Sequence, residues 1–295
     1  MAELDRVLIQ LDPGEHASTF DSIVAIDAGA DRLLRFKEVE PAAVEPLVHG
    51  AIFTRGVDAL KHTAIFVGGA DVEHGEALFE QVTKSFFGPF RVSAMLDPNG
   101  ANTTAVAAVQ LAGQHLHLEA ITAVVLAGTG PVGQRVVRLL SRAGAQVRLA
   151  SRRLERAEAA CRRIAAQLED APNARPPIPV QVGNPDETAV VLENCDLVVS
   201  AAAGGIELVA EATWQAAPNL QLLIDLNAVP PAGIAGVEVT DKGTERHGKL
   251  TYGALGVGGL KMKIHKKCVA RLFEGNDWVL DAEQIMAIAS EETTA

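Results

Sequence analysis

Residues 122–140 read Thr-Ala-Val-Val-Leu-Ala-Gly-Thr-Gly-Pro-Val-Gly-Gln-Arg-Val-Val-Arg-Leu-Leu, and this stretch limits the fold more than any other. A run of small and β-branched apolar residues ends in Gly-x-Gly-x-x-Gly, and a helical periodicity starts at once. Each glycine answers a different demand. Gly128 permits a tight strand-to-helix turn, Gly130 lets a phosphate approach the backbone, and Gly133 lets the helix lie close on the strand. Thr129, Pro131 and Val132 complete the turn, and the helix start offers free amides and a positive dipole end. The plain alternative is a tight turn and nothing more. With a strand before it and a helix after it, the motif predicts a dinucleotide-binding βαβ unit.

The chain has 295 residues, room for two domains of about 100 to 150 residues each. Its 48% apolar content marks it as globular. A formal charge of −11 argues against a nucleic-acid binder and against an anionic membrane surface. Cys161, Cys195 and Cys268 are few, odd in number and far apart, which fits reduced thiols and no disulfide framework. The start, Met-Ala-Glu-Leu-Asp-Arg, carries no signal pattern, and no apolar run approaches the ~20 residues of a membrane span. We expect a cytoplasmic protein.

Ahead of the glycine turn the chain alternates short strands and helical stretches. Strands are expected at Val7–Leu11, Arg32–Phe36, Ala51–Thr54, Thr63–Val67 and Arg91–Leu96. Helices are expected from Thr19, from Asp71 to Phe87, and from Asn102. Behind it, Gln146–Ala150 reads as the second strand and Leu154–Leu168 as a charged helix. Asn173-Ala-Arg-Pro-Pro-Ile-Pro reads as a proline-rich connection. Buried strands follow at Asp196–Ser200, ending in Ala203-Gly204-Gly205, and at Leu220–Leu226, ending in Asn227. Ligands of doubly wound sheets sit at such strand ends, so Ala203, Gly204 and Asn227 are expected to reach the cofactor. The fold expected is α/β: a Rossmann-type doubly wound parallel sheet with a smaller N-terminal α/β domain, and a cleft between them. The boundaries expected are 1–118, 119–256 and 257–295, the last part returning as helices to brace the first.

Where enzymes of this fold that use NAD carry an acid for the ribose hydroxyl, this chain has Ser151-Arg152-Arg153. A serine and two arginines suit a 2′-phosphate, so NADP is the expected cofactor, with NAD not excluded. The alternative is two arginines on a solvated helix start. Asp97-Pro-Asn99-Gly-Ala-Asn102-Thr103-Thr104 reads equally as a substrate-contacting loop or as a helix cap. Lys261 follows Gly256-Val-Gly-Gly, which we read as glycines ahead of a helix. It would hold a substrate carbonyl or carboxylate, or lie on the surface. His115 and His117 lack a third ligand with metal spacing, so no metal is expected, and His62, His74 and His265 default to structural or surface roles. No nucleophile motif of a hydrolase is present.

Six segments stand out together: Ile52-Phe-Thr-Arg-Gly56, Thr63-Ala-Ile-Phe-Val-Gly-Gly69, Phe86-Phe-Gly-Pro-Phe-Arg-Val-Ser93, Asn99-Gly-Ala-Asn-Thr-Thr104, Ala127–Gly133 and Gly253–Lys261. On these the sequence, taken whole, resembles the NAD(P)-dependent methylene-tetrahydromethanopterin dehydrogenases of one-carbon-metabolising bacteria. The chain departs from the family pattern at Gly56–Lys61. The resemblance implies hydride transfer from a methylene pterin to NAD(P)⁺, with Asn99, Asn102, Thr103 and Thr104 as pterin contacts and Lys261 beside the reaction. A homo-oligomer is expected. A methylene-tetrahydrofolate dehydrogenase and a non-catalytic NADP(H) sensor are the competing readings.

Overall fold

The computed structural model describes residues 4–291. Met1, Ala2 and Glu3, part of the start inspected above for a signal, lie outside the described residues, as do residues 292–295. The chain divides into two units, one made of the residues up to Thr103 with those from Met262 onward, the other of Thr104–Lys261.

In the first unit the order is β1 (Val7–Leu11), α1 (Thr19–Asp27), β2 (Arg32–Phe36), α2 (Pro41–Ile52), β3 (Thr63–Val67), α3 (Val72–Lys84), β4 (Ser93–Leu96) and the start of α4 (Ala101–His115). Strand β3, Thr-Ala-Ile-Phe-Val, is buried at every position, as a central parallel strand covered on both faces must be. The Arg-Leu-Leu-Arg-Phe of β2 is half in solvent and lies at the sheet edge. One expectation fails here. Ala51 and Ile52 close helix α2 and are not in a strand, because Val44, Val48, Ala51 and Ile52 share one buried helical face. The apolar Ala-Ile-Phe reads as strand only when it is cut from that periodicity. Pro41 starts the helix, and Pro46 lies inside it.

In the second unit the order is β5 (Thr122–Leu126), α5 (Pro131–Arg142), β6 (Gln146–Ser151), α6 (Leu154–Ala166), β7 (Ile178–Gln181), α7 (Pro185–Leu192), β8 (Leu197–Ser200), α8 (Glu211–Ala216), β9 (Leu222–Asp225), β10 (Lys242–Arg246) and β11 (Lys249–Tyr252). The chain then enters α9 (Ala254–Arg271), β12 (Val279–Leu280) and α10 (Ala282–Ser290). The stretch expected to be a proline-rich connection is only partly so, because its Ile178 and Pro179 belong to a strand. β7 carries Pro179, and it can do so because it is the edge strand, where a missing N–H breaks no central ladder. The hairpin β10–β11, unforeseen in the sequence, turns on His247 (φ 51°) and Gly248 (φ 76°). Two successive left-handed residues suit the twist of adjacent antiparallel strands.

The first sheet runs β12-β4-β3-β1-β2, all parallel. The second runs β10-β11-β9-β8-β5-β6-β7, parallel except for the β10–β11 pair. In the second the chain leaves β5 toward one edge and resumes at β8 on the other side. That reversal is the doubly wound arrangement, and it opens a crevice at the strand ends. Each unit has its own apolar core, one around Leu11, Val48, Leu60 and Leu78, the other around Leu126, Val198, Trp214 and Leu223.

Candidate functional site

The glycine turn is built as its spacing requires. A Cβ on Gly128 would lie 2.8 Å from Leu149 Cγ and 2.9 Å from the Val125 carbonyl oxygen, so β5 and β6 together exclude a side chain there. A Cβ on Gly133 would meet the Ala127 carbonyl oxygen and Gly128 Cα, both at 2.8 Å, which is the close passage of α5 over the turn. Gly130 differs. Its nearest neighbour would be the Ala127 carbonyl oxygen at 3.4 Å, and its φ of −74° suits any residue. Nothing within the fold demands glycine at Gly130, and the space beside its Cα is open to an approaching group. Gly130 caps α5 with no side-chain hydrogen bond, Pro131 follows as the first helical residue, and Gln134 Nε2 donates to the Thr129 carbonyl at 2.8 Å. The amides of the first turn, Val132 and Gly133 among them, have no intrahelical acceptor to serve. That arrangement suits a phosphate.

Adjacent strand ends meet this turn. The Gly128 amide donates to the Ala150 carbonyl at 3.0 Å, and the Ala201 amide to the Leu126 carbonyl at 3.1 Å. Ser151 closes β6, nearly buried, and its hydroxyl accepts from the Arg153 amide at 3.3 Å. Arg152 and Arg153 are exposed, with Arg153 at the cap of α6. Beyond β8, Ala203 and Gly204 are exposed, and a Cβ on Gly204 would press on Val229. Asn227 is buried: its Nδ2 donates to the Pro231 carbonyl at 2.9 Å, and its Oδ1 accepts from the Val229 amide at 2.9 Å. Its side chain therefore shapes the loop after β9.

That loop hangs on a residue the sequence reading passed over. Asp225, 1% exposed, ends β9 and accepts the amides of Asn227 (3.1 Å) and Ile234 (2.9 Å). Burial raises its carboxyl above the ordinary value, against the pull of these and the Gly233 amide. The signal was present, an acid closing the apolar run Leu-Leu-Ile. A cavity of about 270 Å³ lies under the loop, lined by Asp225, Asn227, Val229, Ala232, Val237 and Gly253.

In the first unit the Asp97–Thr103 turn is tightly fastened. Asp97 is fully buried; its Oδ1 accepts the amides of Asn102 (2.9 Å) and Thr103 (3.0 Å), and its Oδ2 accepts from Thr103 Oγ1 (2.6 Å). Asn102 Nδ2 donates to the Leu96 carbonyl and to Asp281 Oδ1. Asn102 and Thr103 are thus buried members of a cap, while Asn99 (φ 53°) is exposed and Thr104 half-buried. Lys261 is half-buried on α9. Gly256, Gly258 and Gly259 lie inside that helix and not ahead of it, and only Gly253 precedes it. Cβ atoms on Gly253 and Gly256 would overlap the carbonyl oxygens of Glu238 and Asp241, whereas Gly258 and Gly259 face open space. The first pair allows close packing; the second leaves the helix surface bare beside Lys261. His115 bonds the Tyr252 hydroxyl at 2.8 Å. The three thiols are buried and pushed up to about 11 for Cys161 and about 12 for Cys195 and Cys268, far from a reactive thiolate.

The family model described as "Methylene-tetrahydromethanopterin dehydrogenase, N-terminal" matches residues 19–99. The bifunctional protein MdtA of Methylorubrum extorquens is 44% identical over 291 residues, covering 97% of this chain and 98% of its own length. The NAD(P)-dependent methylenetetrahydromethanopterin dehydrogenase of the same organism is 28% identical, covering 92% of this chain and 93% of its own. Among solved structures, shikimate 5-dehydrogenase from Listeria monocytogenes superposes with a TM-score of 0.53 at 11% identity, covering 96% of both chains. The 5-ketofructose reductase of Gluconobacter sp. strain CHM43 gives 0.52 at 12%, covering 99% of this chain and 100% of its own. At such identities the last two speak for the fold alone.

Proposed function

We infer the activity from a premise of kinship: this chain belongs to the methylene-tetrahydromethanopterin dehydrogenase family. It is an NAD(P)-dependent oxidoreductase acting on the methylene pterin. The observation that carries the reading is a whole-length relative at 44% identity, joined to a glycine turn whose Gly130 has no internal reason to be glycine.

The chemistry asks little acid–base work of the protein. The methylene carbon bridges two nitrogens, and their lone pairs delocalise the positive charge left when hydrogen departs with its electron pair. The substrate is oxidised to the methenyl cation, and no proton is removed. Bound NAD(P)⁺ supplies the acceptor carbon for that hydride. What remains for the residues is binding, orientation and exclusion of water. The uncapped start of α5 holds the pyrophosphate, and Ser151, Arg152 and Arg153 read a 2′-phosphate, so NADP is the preferred cofactor. Ala203, Gly204 and the loop shaped by Asn227 bear on the nicotinamide half. Asn99 and Thr104 contact the pterin directly, and Asn102 and Thr103 support them from within the cap. Lys261 reaches a pterin carbonyl or holds a nearby carboxylate, its own charge thereby compensated; a bare ammonium beside the reacting carbon would oppose cation formation.

No helix among the described residues is long and apolar enough to cross a membrane. A cytoplasmic location and a homo-oligomeric state complete this proposal, the location supported by the three buried, unpaired thiols. The test is a reduced-cofactor assay with methylene-tetrahydromethanopterin and methylene-tetrahydrofolate, each with NADP⁺ and with NAD⁺. We expect turnover with the methanopterin substrate, faster with NADP⁺. Turnover with the folate alone would reassign the substrate, and binding of NADPH without turnover on either would make the chain a sensor.

A further inference from the structure

Helix α9 carries, one turn after Lys261, a histidine that the hydride-transfer chemistry does not use. His265 is 1% exposed, and its ring stacks on Phe66 of β3 with centroids 5.5 Å apart and planes inclined by 19°. Its Nδ1 lies 3.6 Å from Oδ2 of Asp97, itself fully buried. Phe20 of α1 flanks the same ring at 6.3 Å. Here an imidazole and a carboxylate meet in the interior against the ring of Phe66.

For stability alone this is a poor choice. A buried carboxylate and imidazole lose their hydration, and well-packed apolar residues of similar volume often serve as well or better. Buried polar pairs do offer orientation, since their bonds are satisfied in one arrangement only. This pair sits where two segments need orienting. Asp97 holds the first amides of α4, the helix that goes on through Thr104, and its own carbonyl accepts the Gly100 amide at 3.0 Å. Asn99 is pinned in the left-handed region between them, with its amide donating to the Gly69 carbonyl at 2.5 Å. His265 lies four residues past Lys261 and so on the same face of α9.

We propose that Asp97 and His265 are positioning residues of the hydride-transfer reaction: the pair fixes the turn bearing Asn99 and Thr104 against the helix bearing Lys261. The proposal rests on the functional reading above. It places no proton on the reaction path, and neither residue touches the reacting atoms. Its consequence is a separation of effects, in which pterin geometry depends on the pair while NADP binding does not.

The test uses the full chain with His265→Phe, which preserves a flat ring over Phe66, and Asp97→Asn, which keeps a hydrogen-bonding side chain at the cap. The parent is first assayed with methylene-tetrahydromethanopterin and NADP⁺. His265→Phe is expected to fold, with an unfolding midpoint close to the parent's and NADPH affinity within twofold, but to lose at least tenfold in kcat/KM for the pterin. His265→Asn, which returns a side-chain N–H donor near the place of Nδ1, should recover part of that loss. Asp97→Asn should show the same pattern with a larger loss. A folded His265→Phe with parental kcat and pterin KM would overturn the pairing's role while leaving the function intact. Equal losses in NADPH affinity and pterin turnover would reduce the pair to a stability element. A folded parent that reduces no NADP⁺ would overturn the functional reading and this role with it.

Discussion

Two strand-to-helix turns, one in each unit, solve the same problem in opposite ways. After β4, Asp97 turns back on the helix that follows and takes the amides of Asn102 and Thr103 into its own carboxylate. After β5, Gly130 caps α5 with no side-chain hydrogen bond at all. Both helices begin with amides that intrahelical bonding cannot satisfy. One turn satisfies them internally and becomes a rigid support; the other leaves them for an anion. Sequence alone ranks both as candidate ligand loops, whereas the hydrogen bonds divide them into a turn whose amides are satisfied and a turn whose cap has no side-chain bond.

The comparison breaks most visibly at Gly130. Placing a valine there keeps an allowed backbone but fills the space in which the phosphate must approach. Several charge-assisted contacts worth roughly 1.5–3 kcal/mol each would go, so NADPH affinity should fall more than about a hundredfold in a folded protein. Titration by NADPH fluorescence measures it. Unchanged affinity would mean that the turn is only a turn.

At the other turn the loss should appear in stability. Asp97→Ala strips the acceptor from two amides and one hydroxyl in the interior, at about 1–3 kcal/mol for each group left unsatisfied. Urea unfolding should show a loss of at least about 3 kcal/mol. NADPH affinity measured under conditions where the variant is folded should hold. Coupled losses at both turns would dissolve the distinction between support and site.

Smaller, and specific to the cofactor, is the effect of Arg152→Ala and Arg153→Ala. Each removes a charge-assisted contact of roughly 1.5–3 kcal/mol, so the KM for NADP should rise tenfold or more and that for NAD much less. Parallel increases for both cofactors would place the arginines on a part the two share.

Least of all is a pH effect at Asp225, a strand-end carboxylate that binds loop amides as Asp97 does. Its carboxyl is held above the ordinary value. The folded state therefore favours the protonated form: the stabilisation is complete below the unfolded value near ~4 and is lost as pH rises through the raised one. Unfolding free energy measured by urea from pH 3.5 to 7 should decline over that window from this group. Asp225→Asn should show a flatter profile there, and an identical slope in parent and variant would contradict the assignment.

Much of this architecture was legible because its signals are local. Strand β5, the glycine spacing and helix α5 follow from sequence order, since each glycine's neighbour lies within the motif or on the next strand. The C-terminal strand β12, which pairs with β4, was not legible, because no local pattern in Val279-Leu280 names a partner so distant in sequence. Helix α2 was missed for a related reason: its apolar Ala51-Ile52-Phe53 end looks extended until the face it shares with Val44 and Val48 is counted. At the site, residue types were readable and their employment was not. Asn102 and Thr103 have the chemistry of ligand contacts, yet the structure buries both in a cap, and only a three-dimensional partner such as Asp97 distinguishes the two uses.

The central claim is that this chain moves a hydride directly between the two bound molecules with no essential base. Single-turnover reaction of the enzyme with methylene-dideuterated tetrahydromethanopterin and NADP⁺, followed across the pH range where fold and substrate persist, tests it in one experiment. The account predicts deuterium at the nicotinamide C4 of the product, a primary isotope effect on the rate, and a rate that changes little with pH. Product free of deuterium, or a rate rising tenfold per pH unit to a plateau, would contradict it.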